Sequence, residues 1–119
     1  MGTTNRHENM AVMITGDGMG RTESDELRRG LIGKRLSLVR QNGKLPGAIC
    51  FYTDGVRLAC EGSPVLEQLE ALEASGVHSI VCKTCLDAHG LADEVAVGVV
   101  GGMGDIVAAQ WTAEKVLTL

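Results

Sequence analysis

Aromatic side chains are nearly absent: one Phe, one Tyr and one Trp in 119 residues. A core must therefore be assembled from Leu, Val, Ile and Ala, within an apolar content of 45 %. No apolar stretch approaches the ~20 residues a membrane-spanning helix needs. The N-terminus also lacks the basic-then-apolar order of a secretory signal. Basic residues are outnumbered, 11 Lys and Arg against 15 Asp and Glu, for a net charge of −4. That balance weighs against nucleic acid or an anionic membrane as partner. The expectation is a soluble cytoplasmic protein. Thiols stay reduced in that compartment, so the four cysteines do not read as a disulfide framework, and their interest is chemical.

The length fits one domain with a single core. Residues 1–9, MGTTNRHEN, are polar and read as a flexible leader, leaving 10–119 as the domain. Glycine is plentiful, 16 residues, against an average near ~7 %, which implies tight turns. Ala11–Thr15 is a short apolar run closed by the glycine-rich turn Gly16–Gly20. Thr22 and Asp25 have capping-box spacing, so a helix is expected from about Ser24 to Arg40. Its apolar residues form two stripes, Leu27, Leu31 and Leu38 against Ile32, Leu36 and Val39. One stripe can cover a sheet and the other a neighbouring helix or a second subunit.

Ala48–Thr53 is a second strand candidate, ended by Asp54-Gly55. Ser63-Pro64 reads as a helix start, with Val65, Leu66, Leu69 and Leu72 on one face and Gly76 as the stop. His78–Val81 is a third strand, followed by a short helix over 84–89. Val95–Val100 is a fourth apolar run, Asp105 a cap for a last helix reaching about Glu114, and Lys115–Leu119 a final strand. Continuous apolar strands alternating with helices predict an α/β fold, a three-layer α/β/α sandwich around a mainly parallel five-stranded sheet of the flavodoxin or Rossmann type. Ligands of such sheets bind beyond the carboxyl ends of the strands, where Gly16–Gly20, Asp54–Gly62 and Cys82–Cys85 fall.

Cys82-Lys83-Thr84-Cys85 sits where the third strand passes into a helix. Unpaired amides and the helix dipole favour a thiolate there, so Cys82 is the expected nucleophile. Cys85, one helical turn on, is the expected second thiol. Supporting positions are Lys83 and Thr84 between them, Gly18 in the glycine turn and Asp54 at the second strand's end. Each has a plainer reading: Cys82 a buried strand-end residue, Lys83 a solvent-facing side chain, the Gly16–Gly20 turn a tight connection that lacks the residues of a phosphate loop. Cys50 reads as core and Cys60 as a loop thiol. Cys82, Cys85 and His89 would need a fourth ligand, Asp87 or His78, to close a zinc site, so no metal is expected.

The segments FYTDGVRLACEGSPVLEQLEALEASGV (51–77), CKTCLDAHGL (82–91) and KVLTL (115–119) resemble the DsrE/DsrF-like family, closest to its YedF-type, sulfurtransferase-like subgroup linked to selenium metabolism. The resemblance implies a small, usually oligomeric α/β/α domain that carries sulfur, or selenium, as a cysteine persulfide. It places the carrier cysteine at Cys82 and the subgroup's second cysteine at Cys85. No external cofactor is implied, because the cysteine is the carrier. The partners implied are sulfur donor and acceptor proteins, among them a separate carrier with a Cys-Pro-x-Pro motif, since the subgroup's N-terminal carrier segment has no counterpart here. Lys83 also stands where the subgroup commonly has Gly. Two other classes remain open on the residues: an oligomeric binding or scaffold module without thiol chemistry, and a dithiol redox protein using the C-x-x-C pair.

Overall fold

A computed structural model describes residues 6–119. The chain runs β1 (Arg6–Ile14), α1 (Asp25–Asn42), β2 (Lys44–Phe51), a 3-10 segment (Thr53–Ala59), α2 (Leu66–Ala74), β3 (His78–Cys82), α3 (Lys83–His89), β4 (Val99–Gly101), α4 (Met103–Thr112) and β5 (Lys115–Thr118). The five strands form one sheet in the order β4-β3-β2-β1-β5, and every pairing is parallel. Residues 1–5 of the expected leader lie outside the described residues. Residues 6–9 are not leader but the first half of β1, paired with the start of β2 through Arg6, His7 and Glu8.

The strand order fixes where the helices go. From β1 to β4 each step moves the same way across the sheet, and right-handed crossovers place α1, α2 and the return before β4 on one face. Gly33 of α1 accordingly lies against Val65 and Gln68, at the start of α2 and within it. From β4 to β5 the chain crosses the whole sheet in the opposite sense, so α4 lies on the other face. Gln110 of α4 reaches Met13 of β1, 3.5 Å from nitrogen to sulfur. One helix cannot cover five strands. Beside α4 an apolar groove of about 480 Å3 remains, lined by Met10, Ala48, His78, Ile80, Val100 and Ala109 among others.

Local sequence explains most element ends. Ser24, not Thr22, caps α1, its Oγ accepting the Leu27 amide at 3.2 Å; Thr22 Oγ1 accepts the Ser24 amide instead. Ser63 does not cap α2 directly. Its hydroxyl holds the Val65 amide in a turn, and the helix begins at Leu66. Asp105 is not the N-cap but the third residue of α4, and from there its carboxylate accepts the amide of the N-cap, Gly102. The fourth apolar run yields only a three-residue strand. Gly98, at φ +89°, turns the backbone away from extended geometry, while Val95 bridges to Cys60 and Val97 fills the core. Of α1's two stripes, Ile32 and Leu36 are buried, whereas Leu27, Leu31 and Leu38 are exposed. The core itself is aliphatic around one large ring, Phe51.

No helix of the described residues is long and apolar enough to cross a membrane.

Candidate functional site

The carboxyl ends of β3, β2 and β1 lie side by side, so the loops that follow them share one edge. At its centre is the α3 start. Cys82 ends β3 and is the N-cap of α3, but its side chain makes no capping hydrogen bond. Strand alternation sends it to the same face as Ile80, and it has 0 % exposure. The reachable nucleophile expected at Cys82 is therefore enclosed. Cys85 is the partly exposed member of the pair.

Cys85 is met by a backbone donor from the neighbouring loop. Thr53, the first residue of the 3-10 segment, points its N–H at Cys85 Sγ, 3.0 Å away. Thr53 has φ +51°, the only positive value at a non-glycine position among the described residues. Its hydroxyl lies against the Thr15 carbonyl and within 2.7 Å of the Tyr52 carbonyl. The Thr15 hydroxyl in turn donates to the Leu119 carbonyl at 3.2 Å. A chain of contacts thus runs along the sheet edge from β5 to α3. Burial pushes the Cys85 pKa up from its ordinary value, the Thr53 amide opposes that rise, and the neighbouring Cys82 thiol adds to it.

His89 lies four residues beyond Cys85, one helical turn along the same side of α3. Its Nδ1 is 3.2 Å from Arg57 Nη2 and its Nε2 3.3 Å from Asp54 Oδ1. A guanidinium only donates, so Nδ1 accepts and the neutral ring carries its proton on Nε2, facing the carboxylate. His89 thereby ties the 3-10 segment to α3 just beyond the thiol. The pairing puts Asp54 near the thiols and adds Arg57, which nothing in the sequence singled out.

The remaining expected positions serve elsewhere. Lys83 reaches Asp87 at 2.8 Å on the solvent side of α3, which raises its own pKa, and it does not turn toward either thiol. Thr84 is exposed on the same turn. Gly18 is buried against Arg28, where a Cβ would collide with that residue's backbone. The Met19 amide donates to the Arg28 carbonyl, Arg28 Nε donates to the Asp17 carbonyl, and Asp17 pairs with Arg29 at 2.7 Å. The glycine turn is clamped onto α1. Cys50 is core, its pKa pushed up to about 11 by burial. Cys60 donates to the Val56 carbonyl, and burial and Glu94 raise its pKa. Among the described residues no three His, Cys, Asp or Glu side chains gather as a metal site.

Residues 29–119 match the model of the DsrE/DsrF-like family. Three solved structures are similar in fold. The ychN protein from E. coli is 23 % identical, with a TM-score of 0.69 over 94 % of this chain and 99 % of that one. A protein of unknown function from Methanobacterium thermoautotrophicum is 21 % identical, with a TM-score of 0.65 over 92 % and 97 %. Another, from Bacteroides thetaiotaomicron, is 17 % identical, with a TM-score of 0.63 over 92 % and 94 %. At such identities the likeness is one of fold. No curated protein matches the chain closely enough to count as a relative.

Proposed function

The chain belongs to the DsrE/DsrF-like family, and from that premise we propose that it carries sulfur as a persulfide on the Cys82/Cys85 pair, with Cys85 as the thiol that meets donor and acceptor. The observation that carries the reading is the Thr53 N–H on the sulfur of the partly exposed cysteine, at the edge where parallel sheets bind their ligands. Cys82, in the position of the family's carrier cysteine, stands behind it. A donor persulfide R–S–SH is attacked at its outer sulfur by the Cys85 thiolate. The S–S bond of the donor breaks, a new one forms as Cys85–S–SH, and R–S⁻ leaves. An acceptor thiolate removes the outer sulfur in the same way, so no outside oxidant or cofactor enters.

The C-x-T-C pair supports the YedF-type subgroup, and with it selenium as a second atom that the same thiol could carry. In this reading the protein works in the reducing cytoplasm between a donor protein and an acceptor such as a Cys-Pro-x-Pro carrier. It works as a homo-oligomer, for which the exposed Leu27, Leu31 and Leu38 of α1 and Trp111 of α4 argue.

Treated with a low-molecular-weight persulfide and weighed intact, wild type, Cys82→Ser and Cys50→Ser are expected to gain one sulfur, and Cys85→Ser none. Loading in Cys85→Ser with loss in Cys82→Ser would move the carrier back to Cys82. Loading in none of the variants and none in wild type would end the sulfur reading. It would leave the binding-module reading, which rests on a separate observation, the apolar groove beside α4.

A further inference from the structure

A threonine in the left-handed region is strained, because its branched Cβ crowds the backbone there, and such strain persists only where surrounding contacts impose it. Thr53 is held through two of its atoms, the hydroxyl oxygen and the amide nitrogen. Its hydroxyl has a single proton and two carbonyls in reach, those of Thr15 and Tyr52, and its N–H points at Cys85 Sγ. The next residue, Asp54, is held by His89. With its Oγ1 anchored, the positive φ sets how the Tyr52–Thr53 peptide plane, and with it the N–H, is turned toward the sulfur. We propose that Thr53 is the positioning residue of the sulfur site, its hydroxyl anchored on the end of β1 so that its amide stays aimed at Cys85.

The chemistry needs such a donor. A thiolate, or the terminal sulfur of a persulfide, concentrates negative charge on a partly buried atom, and a fixed amide dipole stabilises that charge without reorganising when it forms. The other polar groups nearby are committed elsewhere. Asp54, His89 and Arg57 close on one another, and Lys83 closes on Asp87, on the outer side of α3. Cys82 is the remaining titratable neighbour, and it opposes ionisation of Cys85. The Thr53 amide, placed on the sulfur itself, is the group that favours the Cys85 thiolate.

The inference rests on Cys85 as the sulfur-bearing thiol, and its test does not require sulfur loading. The pH profile of Cys85 alkylation is measured in wild type, Thr53→Ala, Thr53→Gly and Thr53→Ser, with the modified residue identified by peptide mass. Thr53→Ala and Thr53→Gly lose the anchoring hydroxyl. Their profiles are expected to move about one pH unit upward, about tenfold less thiolate at neutral pH, while Thr53→Ser keeps the wild-type profile. Glycine takes up positive φ freely, so Thr53→Gly gives an answer even if the alanine variant fails to fold. A wild-type profile in Thr53→Gly would overturn the proposal, as would an equal upward shift in Thr53→Ser. A wild-type protein that never loads sulfur would fail the carrier reading and leave the titration result standing.

Discussion

Gly55→Ala is expected to destabilise the protein by at least about 3 kcal/mol. A Cβ at position 55 would overlap the Ile14 carbonyl oxygen and sit 2.7 Å from its carbonyl carbon. Both are backbone atoms of a central strand, with no flexible side-chain end to move aside. Neither neighbour gives way easily. The Ile14 carbonyl accepts the Tyr52 amide at 3.1 Å, so displacing it breaks the junction that delivers Thr53 to the thiol. Urea denaturation measures the loss, and a change under about 1 kcal/mol would mean that the 3-10 segment rests on β1 far more loosely than the close contact indicates. The same exchange at Gly104, where a Cβ meets nothing within 4 Å, provides the contrast. Inside a helix and free of clashes, Gly104→Ala is expected to stabilise by about 0.5–1 kcal/mol, the propensity difference between the two residues. Opposite signs for one chemical change would separate steric exclusion from backbone entropy.

Phe51→Ala is expected to cost about 3–5 kcal/mol, from lost burial and from the cavity left behind. Phe51 is the largest fully buried side chain, and its strand partners are Ile14, the last residue of β1, and Val81, just before Cys82. With an m-value near 2 kcal/mol/M, the urea midpoint falls by about 2 M. Phe51 shares the face of its partner Val81, opposite the face to which Cys82 points, so the cavity would open beneath the strand ends and not beside the Cys82 sulfur. A midpoint shift of a few tenths molar would show that aliphatic neighbours collapse into the space. In that case the single core ring would not be what holds the edge in place.

Much of the architecture was readable from local patterns because local rules dictate it. Buried parallel strands must be apolar on both faces, so Ala11–Ile14, Ile49–Phe51 and Ile80–Val81 stand out as short continuous runs. Helix ends need partners for free amides, and Asp105 supplies one at the start of α4, from inside the helix. The failures have equally local causes. At the start of α1 two hydroxyls, Thr22 and Ser24, compete for capping roles, and sequence spacing alone does not choose between them. Around Val95–Val100 the apolar residues plug a loop, and a single backbone reversal at Gly98 cuts the strand to three residues.

Read by itself, the chain determined an α/β fold, a sheet edge carrying a C-x-x-C pair, and the segments bordering that edge. Those properties follow from side-chain periodicity and turn chemistry within a few residues. Which thiol faces outward was decided only in three dimensions. Sequence position pointed to Cys82 as the reactive thiol, but the pleat of β3 turns it inward, and the first turn of α3 brings Cys85 to the surface. The donor on that sulfur, the Thr53 amide, comes from 32 positions away and depends on a backbone conformation that threonine does not adopt by preference. The bare groove beside α4 likewise follows from the return crossing between β4 and β5, a property of strand order and not of any local segment. Exposure and distant backbone contacts arise from how elements pack, and no window of sequence contains them.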